Sequence, residues 1–238
     1  YFFPFTEGFK NAVANDIESV KAQIDDTVCA VMLEPVQGEG GVLPLNVDFV
    51  KEVKKLCDEH DLLLICDEVQ TGVGRTGKLF AFMDFGFLPD VVSFAKGIGG
   101  GLPLGGIMAN EKCASVLGAG MHATTFGGNP VCCAGALAVL DVLENDGILT
   151  EVNKKGAYIR EKIEAMGSKY VKCTRGKGMM IGVVIQDADP KALAKEMIAS
   201  GLLVLTAGKD AVRLLPPLTI TYEEIDRGLE IMKSVLLK

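Results

Sequence analysis

Apolar residues change their period several times along this chain, and each change marks an element. Residues 29–33 form a short unbroken apolar run closed by Glu34-Pro35, the pattern of a buried strand. Phe49, Val50, Val53, Leu56 and Cys57 then recur at helical spacing. Two further buried strands are predicted over 62–66, stopping at Asp67, and over 91–95, stopping at Lys96, with a fourth candidate over 106–109. Asn129-Pro130 opens a helix over 131–143, with Asn as cap and Pro at the first helical position, where its missing N–H is harmless.

Beyond that helix the pattern predicts helices over 151–166 and 190–200, the second stopped by Gly201. Strands are predicted over 179–185, 202–205 and 212–215. Thr221 with Glu224 three residues on is a capping box, and Ile225, Leu229, Met232 and Leu236 continue as an apolar stripe. Strands alternating with helices in the first part point to an α/β sheet, and the second part reads as α+β. The expected division is an α/β domain over 1–144 and a smaller α+β domain over 145–238. There is no internal repeat or low-complexity tract.

Composition narrows the class. The 238 residues are 49% hydrophobic and 23% charged, enough for a sizeable core. Runs such as 62–66 are far too short to cross a bilayer, and no charged-then-apolar leader opens the chain, so neither a membrane nor secretion is expected. Lysine plus arginine number 24 against 31 acidic residues, a net charge of −7 that disfavours nucleic acid as a partner. Seven cysteines and two histidines fall in no metal-ligand spacing, so no metal is expected. The cysteines read as small buried hydrophobes in a reducing cytoplasm.

The chemistry is suggested by where two strands stop. In open α/β sheets ligands bind beyond the carboxyl ends of the strands, and here one strand ends in Asp67 and another in Lys96. An amine that can form a Schiff base, beside a carboxylate that keeps a pyridine nitrogen protonated, is what pyridoxal-phosphate (PLP) chemistry requires. Spacing alone favours a plainer alternative, a structural Asp–Lys ion pair or two unrelated residues, because strand ends commonly carry charge.

Four longer stretches change that balance. Leu33-Glu34-Pro35-Val36-Gln37-Gly38-Glu39-Gly40-Gly41, Cys66-Asp67-Glu68-Val69-Gln70-Thr71-Gly72, Ser93-Phe94-Ala95-Lys96-Gly97-Ile98-Gly99-Gly100-Gly101 and Thr124-Thr125-Phe126-Gly127-Gly128-Asn129-Pro130 occur in this order. All four resemble the motifs of class III aminotransferases, the group with acetylornithine, ornithine and 4-aminobutyrate enzymes, and the wording is most similar to the acetylornithine branch. The resemblance extends to Arg213-Leu214-Leu215-Pro216-Pro217-Leu218 and covers essentially the whole chain.

The resemblance implies PLP-dependent transferase fold type I, with part of the large-domain sheet followed by a small C-terminal domain. It implies transfer of the distal amino group of N-acetylornithine, or a similar basic amino acid, to 2-oxoglutarate, giving glutamate in arginine biosynthesis. Ornithine, 4-aminobutyrate and succinyl-diaminopimelate stay open as donors. Lys96 would hold PLP as a Schiff base and move the substrate proton. Asp67 would pair with the pyridine nitrogen, Val69 would pack on the ring, and Gln70 would bond the phenolic oxygen. Thr125 would reach the phosphate across a homodimer interface, and Thr124 would lie near the substrate. Glu39 and Arg213 match a salt-bridge gate that lets one site take a basic donor and then a 2-oxo acid.

Other features have plainer readings. Gly72-Val73-Gly74-Arg75-Thr76-Gly77 matches a dinucleotide fingerprint literally, but no strand turns directly from it into a helix. Cys132 and Cys133 read as helix packing, His60 as a solvated helix end, and Arg75 and Arg175 as structural. Relatives of this kind carry a long N-terminal portion that supplies most of the phosphate site. This chain by itself is therefore expected to bind PLP weakly and to be inactive, and an incomplete sheet is expected to leave an unpaired edge and exposed apolar surface. A dimerisation module that binds no cofactor is the rival reading.

Overall fold

The expected α/β and α+β parts each carry a four-stranded sheet in the computed structural model, which describes residues 3–238. Tyr1 and Phe2, the start of the first expected domain, lie outside the described residues. Strands β1 (Ala30–Leu33), β4 (Leu63–Asp67), β5 (Val91–Phe94) and β6 (Gly106–Ala109) make the first sheet in that order. β1, β4 and β5 run parallel, as the alternation with helix α2 (Val47–Glu59) predicts. β6 is antiparallel to β5. Residues 95–105 between them hold only a short 3-10 turn, and a parallel crossover needs a longer connection.

Alternation along these strands sorts their side chains. Leu64, Cys66 and Val92 point toward α2, where Val50, Val53, Leu56 and Cys57 fill the space with them. Residues one step out of phase lie on the other face, where Met32 is 56% and Ile107 55% exposed. Registered partners in neighbouring strands share a face, so Asp67, Ser93 and Ile107 lie in one row on that open side. β1 and β6 are the edges of this sheet among the described residues.

Helices α4 (Pro130–Asn145) and α5 (Ile148–Ala165) lead to the second sheet. The Asn129 side chain caps α4 by accepting from the N–H groups of Val131 at 3.0 Å and Cys132 at 3.3 Å. β7 (Val171–Lys177), β8 (Met180–Ile185), β10 (Ala211–Leu214) and β9 (Leu205–Ala207) then pair in that order, all antiparallel. Every residue of β8 is buried because both its faces are covered. Ile181, Val183 and Ile185 meet α5, α6 (Pro190–Ala199) and α7 (Tyr222–Leu236), while Met180 meets Val36 and Val42 of the first half. Each such apolar side chain contributes about 1.5–3 kcal/mol on burial. The capping box at Thr221 and Glu224 forms as expected.

Several elements differ from the pattern. β9 begins at Leu205, not 202: the Leu202 N–H finishes α6 by donating to Met197 O at 2.9 Å, and Leu203 is 87% exposed. β7 was not anticipated, since Lys172, Thr174, Arg175 and Lys177 hide its period. The short helices α1 (Ile17–Lys21) and α3 (Glu111–Ala114) and the ribbon of β2 (Val36–Gln37) with β3 (Leu43–Pro44) also lack a sequence signal. Arg75 joins the two halves. Its guanidinium donates to Met179 O at 3.2 Å and Pro216 O at 2.6 Å, and burial pushes its pKa down to about 10.

Candidate active site

β4 and β5 deliver the acid and the amine to one rim. Asp67 is the last residue of β4 and lies opposite Ser93 of β5. Its Oδ1 accepts from Val69 N–H at 2.9 Å and from the Ser93 hydroxyl at 3.0 Å. Both bonds use one oxygen, and among the described residues Oδ2 takes none. Ser93 is a site residue that the sequence reading passed over; a lone hydroxyl in an apolar strand, opposite the acid, was its only signal.

Lys96 follows two residues after β5 and opens the 3-10 turn Lys96–Gly99. Its backbone is left-handed, with φ +50°, a conformation that costs a residue other than glycine about 1–3 kcal/mol. The side chain is exposed, and among the described residues nothing bonds its amine. An Asp67–Lys96 ion pair, one of the two plainer alternatives, does not form.

Arg213 stands in the middle of β10 and is only 6% exposed, while Glu39, on the loop after β2, is 74% exposed as a side chain. The guanidinium donates to Glu39 Oε1 at 2.8 Å and, more weakly, to Gln70 Oε1 at 3.4 Å. The Gln70 amide in turn donates to Glu39 Oε1 at 3.2 Å. Arg213 holds the Glu39 carboxyl below its ordinary value, with smaller pulls from Gln70 and from the Lys96 ammonium. Arg213 Nε is buried without a partner. Such a group costs about 1–3 kcal/mol or more until an acceptor reaches it.

The remaining expected residues divide. Val69 is half-buried beside Asp67. Thr124 and Thr125 are exposed on the loop before α4, and neither hydroxyl bonds Asp67, Lys96, Glu39 or Arg213 within this one chain. Glu68, unremarked in the sequence, is fully buried; it accepts from Thr71 Oγ1 at 2.5 Å and Phe82 N–H at 2.7 Å, and burial pushes its carboxyl up. Residues 72–77 form successive turns and enter no helix. The cysteine reading needs correction. Cys57, Cys66, Cys113 and Cys132 are buried, but Cys29, Cys133 and Cys173 are exposed.

The residues present fit PLP. Asp67 Oδ2 is available to a pyridinium N–H, the Lys96 amine is unengaged, and the buried Arg213 offers a carboxylate site. Gln70 is turned to Glu39 and Arg213. Among the described residues no cluster of His, Cys, Asp and Glu could hold a metal ion, and no helix is long and apolar enough to cross a membrane.

With this geometry in place, comparison with known proteins defines the class: the chain belongs to the class-III aminotransferases, whose family model matches residues 1–236. It is 48% identical over 237 residues to acetylornithine aminotransferase of Caldanaerobacter subterraneus subsp. tengcongensis, covering 99% of this chain and 60% of that protein. Acetylornithine aminotransferase 1 of Pseudomonas syringae pv. tomato is 43% identical over 243 residues, covering 100% and 60%. Among solved structures, N-acetylornithine aminotransferase from Stenotrophomonas maltophilia K279a superposes with TM-score 0.88 at 37% identity, covering 97% of this chain and 62% of that one. Plasmodium falciparum ornithine delta-aminotransferase gives 0.90 at 34%, covering 99% and 62%. The fold is therefore that of the class-III, fold-type-I enzymes. The chain spans about 60% of the length of the curated relatives it matches.

Proposed function

We propose that the protein to which this chain belongs is a PLP-dependent aminotransferase that moves the distal amino group of N-acetylornithine to 2-oxoglutarate, giving glutamate. The observation that carries this reading is the convergence of an acid and an unengaged amine at neighbouring strand ends with a masked, buried arginine. PLP, when bound, supplies the electron sink that lets an amine-bearing carbon lose a proton. Lys96 Nζ would hold the cofactor covalently and serve as the base that moves the substrate proton. Asp67 Oδ2 would keep the ring nitrogen protonated, while Ser93 and Val69 fix the carboxylate through Oδ1. Val69 would pack on the ring, and Gln70 would serve the phenolic oxygen.

Arg213 gives the site its two-substrate character. With a distal-amine donor bound, Glu39 neutralises the guanidinium, so no bare charge lies beside the donor's apolar stem. With glutamate or 2-oxoglutarate bound, Glu39 gives way and Arg213 takes the α-carboxylate, which also satisfies the orphaned Nε. In this reading Thr124 lies near the substrate and Thr125 serves the phosphate of a partner's site. The enzyme is then a cytoplasmic homodimer in arginine biosynthesis, with domains dividing at residue 145. The names of the relatives support N-acetylornithine as donor. A donor panel on the full-length protein tests it: N-acetylornithine should be used with the highest kcat/KM, and preference for ornithine, 4-aminobutyrate or succinyl-diaminopimelate would replace the substrate assignment.

A further inference from the structure

Arg175 and Arg213 lie in one row of the second sheet. Gly182 of β8 registers with Arg175 of β7 on one side and with Arg213 of β10 on the other. Directly paired residues point to the same face, and here that face looks onto the loop of residues 38–42. Gly182 lets Val42 of that loop pack closely against this row, because a Cβ there would stand 3.0 Å from Val42 Cβ and 3.4 Å from Arg175 Cγ.

The two arginines grip that loop in different ways. Arg213 takes the Glu39 side chain at 2.8 Å. Arg175 takes the backbone two residues later, donating from Nε to Gly41 O at 2.6 Å. Its other nitrogens form a two-pronged pair with Asp210, Nη2 to Oδ1 at 2.6 Å and Nη1 to Oδ2 at 3.1 Å. Asp210 sits in the β9–β10 turn, three residues before Arg213. From the same turn, Gly208 N–H donates to Glu39 O at 2.8 Å. Gly208 has φ +60°, and a Cβ there would lie 2.7 Å from Gly40 O, so only glycine permits the approach.

We infer that Arg175 is a positioning residue for the Glu39–Arg213 pair: it braces the loop of Glu39 against the turn that leads into Arg213. The loop and the β9–β10 hairpin form one frame, so Glu39 meets the guanidinium without any movement of one half of the molecule against the other. Rigidity of the loop backbone keeps Arg213 masked, and only the exposed Glu39 side chain has to swing. Arg175 touches no substrate. Its pair with Asp210 is half-buried and two-pronged, the geometry in which an arginine cannot be replaced conservatively by lysine.

This inference rests on the masking role proposed above for Glu39, and the test separates the two. Binding of glutarate, a dicarboxylate that cannot be transaminated, is measured by calorimetry on the full-length, cofactor-loaded protein and on its E39Q, R175M and D210N variants. E39Q should bind glutarate more tightly, because Arg213 is unmasked. R175M should also bind it more tightly, by about tenfold, which corresponds to about 1.4 kcal/mol. D210N, which keeps the shape and removes one charge, should change in the same direction by less. A residue that merely holds the fold together would weaken binding or leave it unchanged when replaced. Tighter binding by E39Q with no gain in R175M and D210N overturns the brace while the masking stands. No gain in E39Q removes the masking, and the brace's function falls with it.

Discussion

The Ser93 hydroxyl reaches across from β5 to donate to Asp67 Oδ1 at 3.0 Å, which sets the plane of the carboxylate at the rim of the sheet. Val69 N–H holds the same oxygen from the chain itself. The free oxygen is thereby aimed by two bonds rather than by one flexible torsion. Asp67→Asn in the full-length enzyme should therefore cut kcat at least about a hundredfold, the scale of removing one well-placed electrostatic contact. Ser93→Ala should cost less than that, because the Val69 N–H still holds the same oxygen. Steady-state kinetics of both variants check this; near-normal turnover by Asp67→Asn would make the acid structural.

Lys96 is expected to be the residue that PLP modifies. Borohydride reduction of the cofactor-loaded protein, followed by peptide mass mapping, should place the label on Lys96, and Lys96→Ala should abolish both label and turnover. A label on any other lysine overturns the assignment.

The Glu39–Arg213 pair predicts unequal damage. Arg213→Lys should impair the glutamate half-reaction by about 2–5 kcal/mol, the cost of truncating one partner of a buried charge contact. The donor half-reaction should suffer much less. Single-turnover spectra of the two halves measure this, and equal losses would favour a purely structural arginine.

The same pair carries a pH dependence. Arg213 holds Glu39 below its ordinary carboxylate value. The pair's favourable contribution is therefore fully present above the ordinary value and is lost as pH falls through the lowered one. Glutarate's own carboxyls also protonate in that range, so the comparison with E39Q isolates Glu39: on acidification wild type should lose less glutarate affinity than E39Q, as protonated Glu39 releases Arg213. A parallel profile in both proteins would show that Glu39 does not titrate against Arg213.

Thiol reactivity should follow burial. Burial pushes Cys57 up to about 11 and Cys66 up to about 12, so neither forms appreciable thiolate near neutrality. In the folded 238-residue chain an aromatic disulfide reagent should titrate Cys29, Cys133 and Cys173 quickly and the other four only on unfolding. Rapid modification of Cys66 would mean that the α2 side of the first sheet is open.

Much of this was legible in the chain because it is local. Buried strands announce themselves as apolar runs, and the charged residues that close those runs, Asp67 and Lys96, mark the rim by position alone. The caps at Asn129 and Thr221 are local too, since each is a side chain bonding backbone two or three residues on. Glu39 and Arg213 were readable only through resemblance, being 174 residues apart. What no periodicity carries is pairing at long range. β7 hid its strand character in charged residues because its register with β8 decides which face each occupies. Arg175 read as structural until the sheet set it in line with Gly182 and Arg213, and Cys29 and Cys133 read as core until packing left them at the surface. Sequence pattern determines which segments bury apolar surface and what each one ends in. Only the tertiary structure decides which ends meet, because a hydrogen bond between distant residues depends on the register of every strand between them.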